Sequence, residues 1–131
     1  MIDFDRTVKD SKSMGETKDC AVKAVAIVTN TPYKVVHGLM AKHGRKPRQG
    51  TYMATTMAVL KELGIWVEKN NETSAIQCRS RTVNQLKANL PKKGRYLVRT
   101  SRHILACVDG KVCDWTDGRR HRPKEVFEIS F

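Results

Sequence analysis

Residues 20–29 are apolar at almost every position: Ala21-Val22, Ala24-Val25 and Ile27-Val28 are interrupted only by Lys23 and the small Ala26. A helix apolar on all sides is a buried one, and Asp19 stands where its N-cap would be. Thr31-Pro32 opens a second helix, with Thr as cap and Pro at the first helical position. Its Val35, Val36, Leu39 and Met40 share a face, and Gly44 stops it. After a loop from Arg45 to Gly50, a third helix from Thr51 carries Met53, Met57 and Leu60 and closes at Gly64. Beyond Gly64 the pattern changes. Ile65-Trp66-Val67 reads as a short strand, Asn70-Asn71-Glu72 as a turn, and Thr82 to Leu90 as a helix capped by Thr82 and ended by Pro91. From there the period is two: Tyr96–Arg99, His103–Val108, Lys111–Trp115 and Val126–Ile129. Residues 1–16 are polar and read as a loosely held arm. Helices first and antiparallel strands second predict an α+β domain over 1–131, N-terminal helices packed on a C-terminal antiparallel sheet.

Asp109-Gly110 between two β-like runs is a strong hairpin signal, and a two-residue turn there fixes the register. Val108 then faces Lys111, Cys107 faces Val112, Ala106 faces Cys113, Leu105 faces Asp114 and His103 faces Thr116. This register puts His103, Leu105, Cys107, Val112 and Asp114 on one side of the ribbon. His103 and Asp114 become diagonal neighbours, close enough for an imidazole to donate to a carboxylate. Both faces are largely apolar, so each needs a covering layer, and a histidine under such a layer needs a partner. Cys20, at the first turn of the buried helix, supplies one. Helix N–H groups and a protonated His103 both favour its thiolate. The expected roles are Cys20 as nucleophile, His103 as general base and then acid, and Asp114 as the group fixing the imidazole. Cys107 and Cys113 are expected to pack in the core.

Charge alters the picture of the surface. The net charge is +12, and basic residues exceed acidic ones in both halves, so the excess is not a tail. Dense clusters lie at Arg45, Lys46 and Arg48, at Lys92, Lys93 and Arg95, and at Arg119, Arg120, Arg122 and Lys124. Such a field draws polyanions and acidic partners. No apolar run approaches the ~20 residues that cross a bilayer, so no membrane partner is expected. The start of the chain lacks the layout of a signal peptide, which predicts a cytoplasmic protein with four reduced cysteines. No CxxC pair occurs, so neither a metal nor another cofactor is expected.

Asp19-Cys20 opening an apolar helix, Thr82-Val83-Asn84-Gln85-Leu86 leading to Leu90-Pro91, and the run His103 to Asp114 together resemble the papain-like cysteine peptidase superfamily. Within it the chain is most similar to bacteriocin-processing (C39-like) peptidases and small phage proteins of that layout. The resemblance implies a papain-like fold and a cysteine hydrolase acting on an amide or thioester bond of a peptide or protein substrate. It further implies a phage-encoded protein in the host cytoplasm, and acyl transfer is a related outcome of the same triad. In the family a Gln six residues before the nucleophile donates to the oxyanion. Met14 holds that position here, leaving Ser13, Thr17 and Lys18 as oxyanion candidates. The alternative is an inactive papain-like scaffold that binds nucleic acid or an acidic host protein through its basic surface.

Overall fold

The computed structural model describes residues 1–131. Its elements are α1 (Phe4–Ser13), α2 (Cys20–Thr29), α3 (Tyr33–Lys42), α4 (Met53–Glu62), β1 (Trp66–Glu68), α5 (Asn71–Arg79), α6 (Val83–Asn89), β2 (Arg95–Arg99), β3 (Ile104–Val108), β4 (Lys111–Cys113) and β5 (Glu125–Ser130). The strands form one antiparallel sheet in the order β1-β5-β2-β3-β4. The α+β class follows, with both faces of the sheet covered.

Alternation along the strands divides the core. Leu97, Ile104, Ala106, Val108 and Ile129 pack with α2, α3 and α4. Tyr96, Val98, Leu105, Cys107, Val112 and Val126 pack with Ile76 of α5 and Val83 and Leu86 of α6. Val22, Val25 and Val28 of α2 are fully buried, each worth roughly 1.5–3 kcal/mol relative to exposure. The C-terminus of α2 ends at Asn30 in the left-handed conformation, φ 52°. Arg95 donates to the carbonyls of Ile27 (3.2 Å) and Val28 (3.3 Å), which anchors that end to the sheet.

Three elements differ from the reading of the sequence. Residues 4–13, expected within a loosely held arm, form α1. Asp3 caps it by accepting from the Arg6 N–H at 2.8 Å, and Thr7 and Ser11 make a narrow buried stripe one turn apart. Small polar side chains let helices approach closely yet leave no apolar period to read. The turn at Asn70 is the cap of α5, its side chain accepting from the Thr73 N–H. Only Thr73 and Ile76 of that helix are buried, so its pattern is faint. Pro32 is the cap of α3 and not its first residue.

The Asp109-Gly110 turn has φ of 51° and 78°, the two positive values a tight hairpin needs. The ladder Val108↔Lys111, Cys107↔Val112, Ala106↔Cys113 has the expected register. It stops there. His103 precedes β3 and Asp114 begins a turn, so the pairings Leu105–Asp114 and His103–Thr116 are not made, and neither catalytic candidate is held to the face of Leu105 and Cys107.

Candidate active site

Cys20 is half-buried at the first position of α2, which packs on the side of the sheet formed by Ile104 and Ala106. His103 reaches it because it lies beyond the end of β3, at the rim of the sheet, where strand alternation no longer dictates its side. The loop at that rim is closed by the Thr100 N–H donating to the His103 carbonyl at 2.8 Å.

His103 Nε2 lies 2.7 Å from Asp114 Oδ2. The same oxygen accepts from the Thr116 hydroxyl (2.6 Å) and N–H (3.2 Å), which fixes the carboxylate. With Nε2 committed to Asp114, Nδ1 is the nitrogen left for the Cys20 thiol. Burial pushes the Cys20 thiol up, but the neighbouring His103 imidazole, the Ile104 N–H and the Ala21 N–H outweigh it, and the net shift is downward. Burial pushes His103 down, but Asp114 and Cys20 outweigh it and raise the imidazole to about 9. The two shifts together favour a thiolate–imidazolium pair. Burial instead pushes Cys107 up to about 12 and Cys113 upward, so both are neutral packing thiols.

Asp19 does not cap α2 with its side chain. Its buried carboxylate accepts from the Tyr33 hydroxyl at 2.5 Å and lies 3.5 Å from Lys23 Nζ. The competing hydroxyl and ammonium explain why a good capping residue makes no cap. The approach to α2 is held by Glu16, which binds His37 and the Arg45 guanidinium and accepts from the Arg48 N–H at 2.7 Å. Arg45 also reaches the Thr17 carbonyl at 3.5 Å. One buried carboxylate thereby ties the loop before Cys20 to the loop at 45–50. Lys18 sits in that approach with φ 53°, a left-handed conformation that is strained for a lysine.

Cys20, Gly50, Arg102 and His103 are shared by two recesses. One, of about 250 Å³, also takes in Met53, Thr56 and Thr100. The other, of about 550 Å³, also takes in Lys18, Lys23, Asp114 and Trp115. A further groove of about 390 Å³ continues from His103 and Trp115 to His121, Arg122 and Lys124. The thiol therefore lies where two recesses meet, and the third groove joins them at Arg102 and His103.

Cys20, His103 and Asp114 are brought together. Of the oxyanion candidates, Lys18 lines the cleft, whereas Ser13 and Thr17 are exposed and line none of these recesses. The Cys20 N–H, at the helix start, makes no backbone hydrogen bond and is the better-placed donor. Two of the basic residues expected at the surface are not free. Arg45 is 6% exposed and bound to Glu16, and Arg95 is half-buried on the end of α2, 5.4 Å from the Phe131 ring. Lys46, Arg48, Lys92, Lys93, Arg119, Arg120, Arg122 and Lys124 are exposed. Sequence reasoning missed Arg102 and Trp115, which line these recesses; Arg102 directly precedes His103 and Trp115 directly follows Asp114, which was the available signal. No cluster of three or more His, Cys, Asp or Glu side chains is placed to hold a metal ion, and no helix is long and apolar enough to cross a membrane. No family model, curated protein or solved structure matches this chain.

Proposed function

We propose that this protein is a thiol hydrolase of the papain-like, C39-like kind, cleaving an amide or thioester bond of a peptide or protein. The observation that carries the reading is the Cys20–His103–Asp114 array at a cleft junction, with Cys20 shifted down and His103 up. The Cys20 thiolate adds to the acyl carbon, and the developing oxyanion is met by the free Cys20 N–H at the positive end of α2. As the bond to the leaving group breaks, that group takes its electron pair and a proton from His103. A water then gives its proton to neutral His103 and adds to the thioester. The carbon–sulfur bond breaks, releasing the acid and restoring the thiolate–imidazolium pair. Asp114 holds the imidazole in the tautomer these transfers need. If an amine replaces water, the same site performs acyl transfer.

The test is alkylation of the reduced protein with iodoacetamide from pH 4 to 9, with each cysteine followed by mass spectrometry. Selective labelling of Cys20 at pH 5–6, lost in His103→Ala, supports the reading. Labelling of Cys20 only above pH 8, as for an ordinary thiol, defeats it. In that case the second reading takes over, a binding scaffold without chemistry. It is supported by Met14 in place of the family's glutamine and by the exposed run Arg119, Arg120, Arg122 and Lys124.

A further inference from the structure

The unpaired charges around the clefts are of one sign. Lys18, Lys23 and Arg102 line the larger recess, and Arg122 and Lys124 line the groove on the far side of His103. The only carboxylates in these walls are Asp19 and Asp114, and both are already engaged: Asp19 by Tyr33 and Lys23, Asp114 by His103 and Thr116. Lys18, Arg102, Arg122 and Lys124 take part in no ion pair. Two unneutralised cations thus line the recess of the thiol and two more the groove that meets it at Arg102, His103 and Trp115, with no free anion among them. Like charges held together in this way repel one another, and an occupant that brings negative charge relieves the repulsion.

We propose that the cleft receives an acidic polypeptide segment, with Asp or Glu carboxylates seated on Lys18 and Arg102 in the recess of Cys20 and on Arg122 and Lys124 in the groove that continues beyond His103. This deepens the thiol-hydrolase reading and rests on it for the cleavage step: the acidic segment is the acyl donor, and the bond attacked lies beside its contact with Lys18 and Arg102. A polypeptide is favoured over a nucleic acid by the chemistry at the junction. A thiolate needs an acyl carbon, which a nucleic-acid strand does not present. The clefts also offer one exposed aromatic, Trp115, whereas single-strand binding relies on a series of stacking platforms. Arg102 is the specificity-determining residue, because it lines all three recesses beside His103.

The experiment uses Cys20→Ala protein and fluorescein-labelled twelve-residue peptides of identical length, carrying Glu, Gln or Lys at alternate positions between Gly and Ala. Anisotropy at low salt should give at least ~10-fold tighter binding for the Glu peptide than for the Gln peptide, and none for the Lys peptide, with affinity falling as salt rises. Arg102→Glu should remove the Glu preference, and circular dichroism of that variant checks that it is folded. Arg122→Glu with Lys124→Glu is the second variant and should weaken the Glu peptide alone. Equal binding of Glu and Gln peptides overturns the proposal. So does an unchanged Glu preference in both variants, or displacement of the Glu peptide by single-stranded RNA that binds more tightly. Cys20 alkylation in the wild-type chain is read separately. Labelling at pH 5–6 without Glu preference sinks only the substrate class, and Glu preference without such labelling sinks only the chemistry.

Discussion

Arg45 and Glu16 form a buried ion pair, Nη1 to Oε2 2.8 Å and Nη2 to Oε1 3.1 Å, with both side chains only 2% exposed. They stand 29 residues apart and join the loop before Cys20 to the loop that contributes Gly50 to the cleft. The pair therefore fixes the shape of the site without touching Cys20. Arg45 first, then the Arg48 N–H and His37, hold the Glu16 carboxyl down at about 2 against the opposing effect of burial.

Acid sensitivity follows from that pair. A carboxyl whose folded pKa lies below its unfolded value stabilises the fold above the unfolded value, near 4.5, and loses that contribution as pH falls toward 2. A shift of this size corresponds to about 3 kcal/mol. Thermal melts of the wild type should fall steeply between pH 4.5 and 2, and those of Glu16→Gln should be flatter there. At pH 7 Glu16→Gln should cost about 3–5 kcal/mol, because it leaves Arg45 buried without a counter-charge. A melting temperature unchanged at pH 7 would show that the pair does not hold the loops.

Asp114 should control where His103 titrates. With the carboxylate 2.7 Å away, the imidazole is raised to about 9. Asp114→Asn removes the charge and keeps the shape, so the His103 pKa should fall toward the ordinary 6.5. NMR titration of the His103 ring reads this directly. Alkylation of Cys20 should also weaken above pH 7 relative to wild type, as the imidazolium is lost sooner. A His103 midpoint that stays near 9 in the variant would assign the shift to Cys20 alone.

The fold was legible where burial is strong and the period is clean, and obscure where polar side chains do the packing. Buried α2, the Asp109-Gly110 hairpin and the Thr82 cap each left a local signal that tertiary structure had no reason to override. Thr7 and Ser11 of α1 and Thr73 of α5 are buried through small polar side chains, which produce no hydrophobic stripe. The closeness of Cys20, His103 and Asp114 was readable in the sequence, yet the strand register does not carry it. His103 and Asp114 meet beyond the last ladder pair, in turns set by Thr100 and Thr116, and no strand rule reaches that far. Surface charge was the least legible feature. Whether Arg45 or Arg95 is free depends on Glu16 and on the carbonyls of Ile27 and Val28, partners remote in sequence.

The pH dependence of turnover should be a bell displaced from that of an ordinary thiol. Cys20 must be ionised and His103 protonated, so activity should rise on a limb below the usual thiol range and fall on a limb near 9. The same signs govern stability. A histidine raised above its unfolded value stabilises below pH 6.5, and this contribution is lost as pH rises through about 9. Rates and melts should therefore decline together on the alkaline side. A rate that climbs without limit above pH 9 would mean free thiolate without the imidazolium.

Arg95 offers a contrast with the other basic residues. It donates to the last carbonyls of α2 and stacks near Phe131, so Arg95→Ala should act on stability. A loss of about 1–2 kcal/mol is expected from removing a charge at a helix C-terminus together with its hydrogen bonds. Lys92→Ala and Lys93→Ala, both exposed, should leave denaturant midpoints unchanged within about 0.5 kcal/mol. Equal effects at all three positions would contradict the anchoring of Arg95 on the end of α2.

Met14→Gln tests how far the family resemblance extends. The substitution places the expected oxyanion donor at its expected spacing from Cys20. Met14, however, follows α1 as its C-cap, is 37% exposed and lines none of the recesses around the thiol. A glutamine there would point into solvent, and hydrolysis of whichever substrate the wild type accepts should change less than about twofold. A true oxyanion donor is worth ~10²–10³ in rate, so the two outcomes are far apart. A gain of that size would mean that the α1 terminus swings over Cys20 during the reaction. An unchanged rate would leave the Cys20 N–H and Lys18 as the donors, and Lys18→Ala would then be the variant to lose turnover.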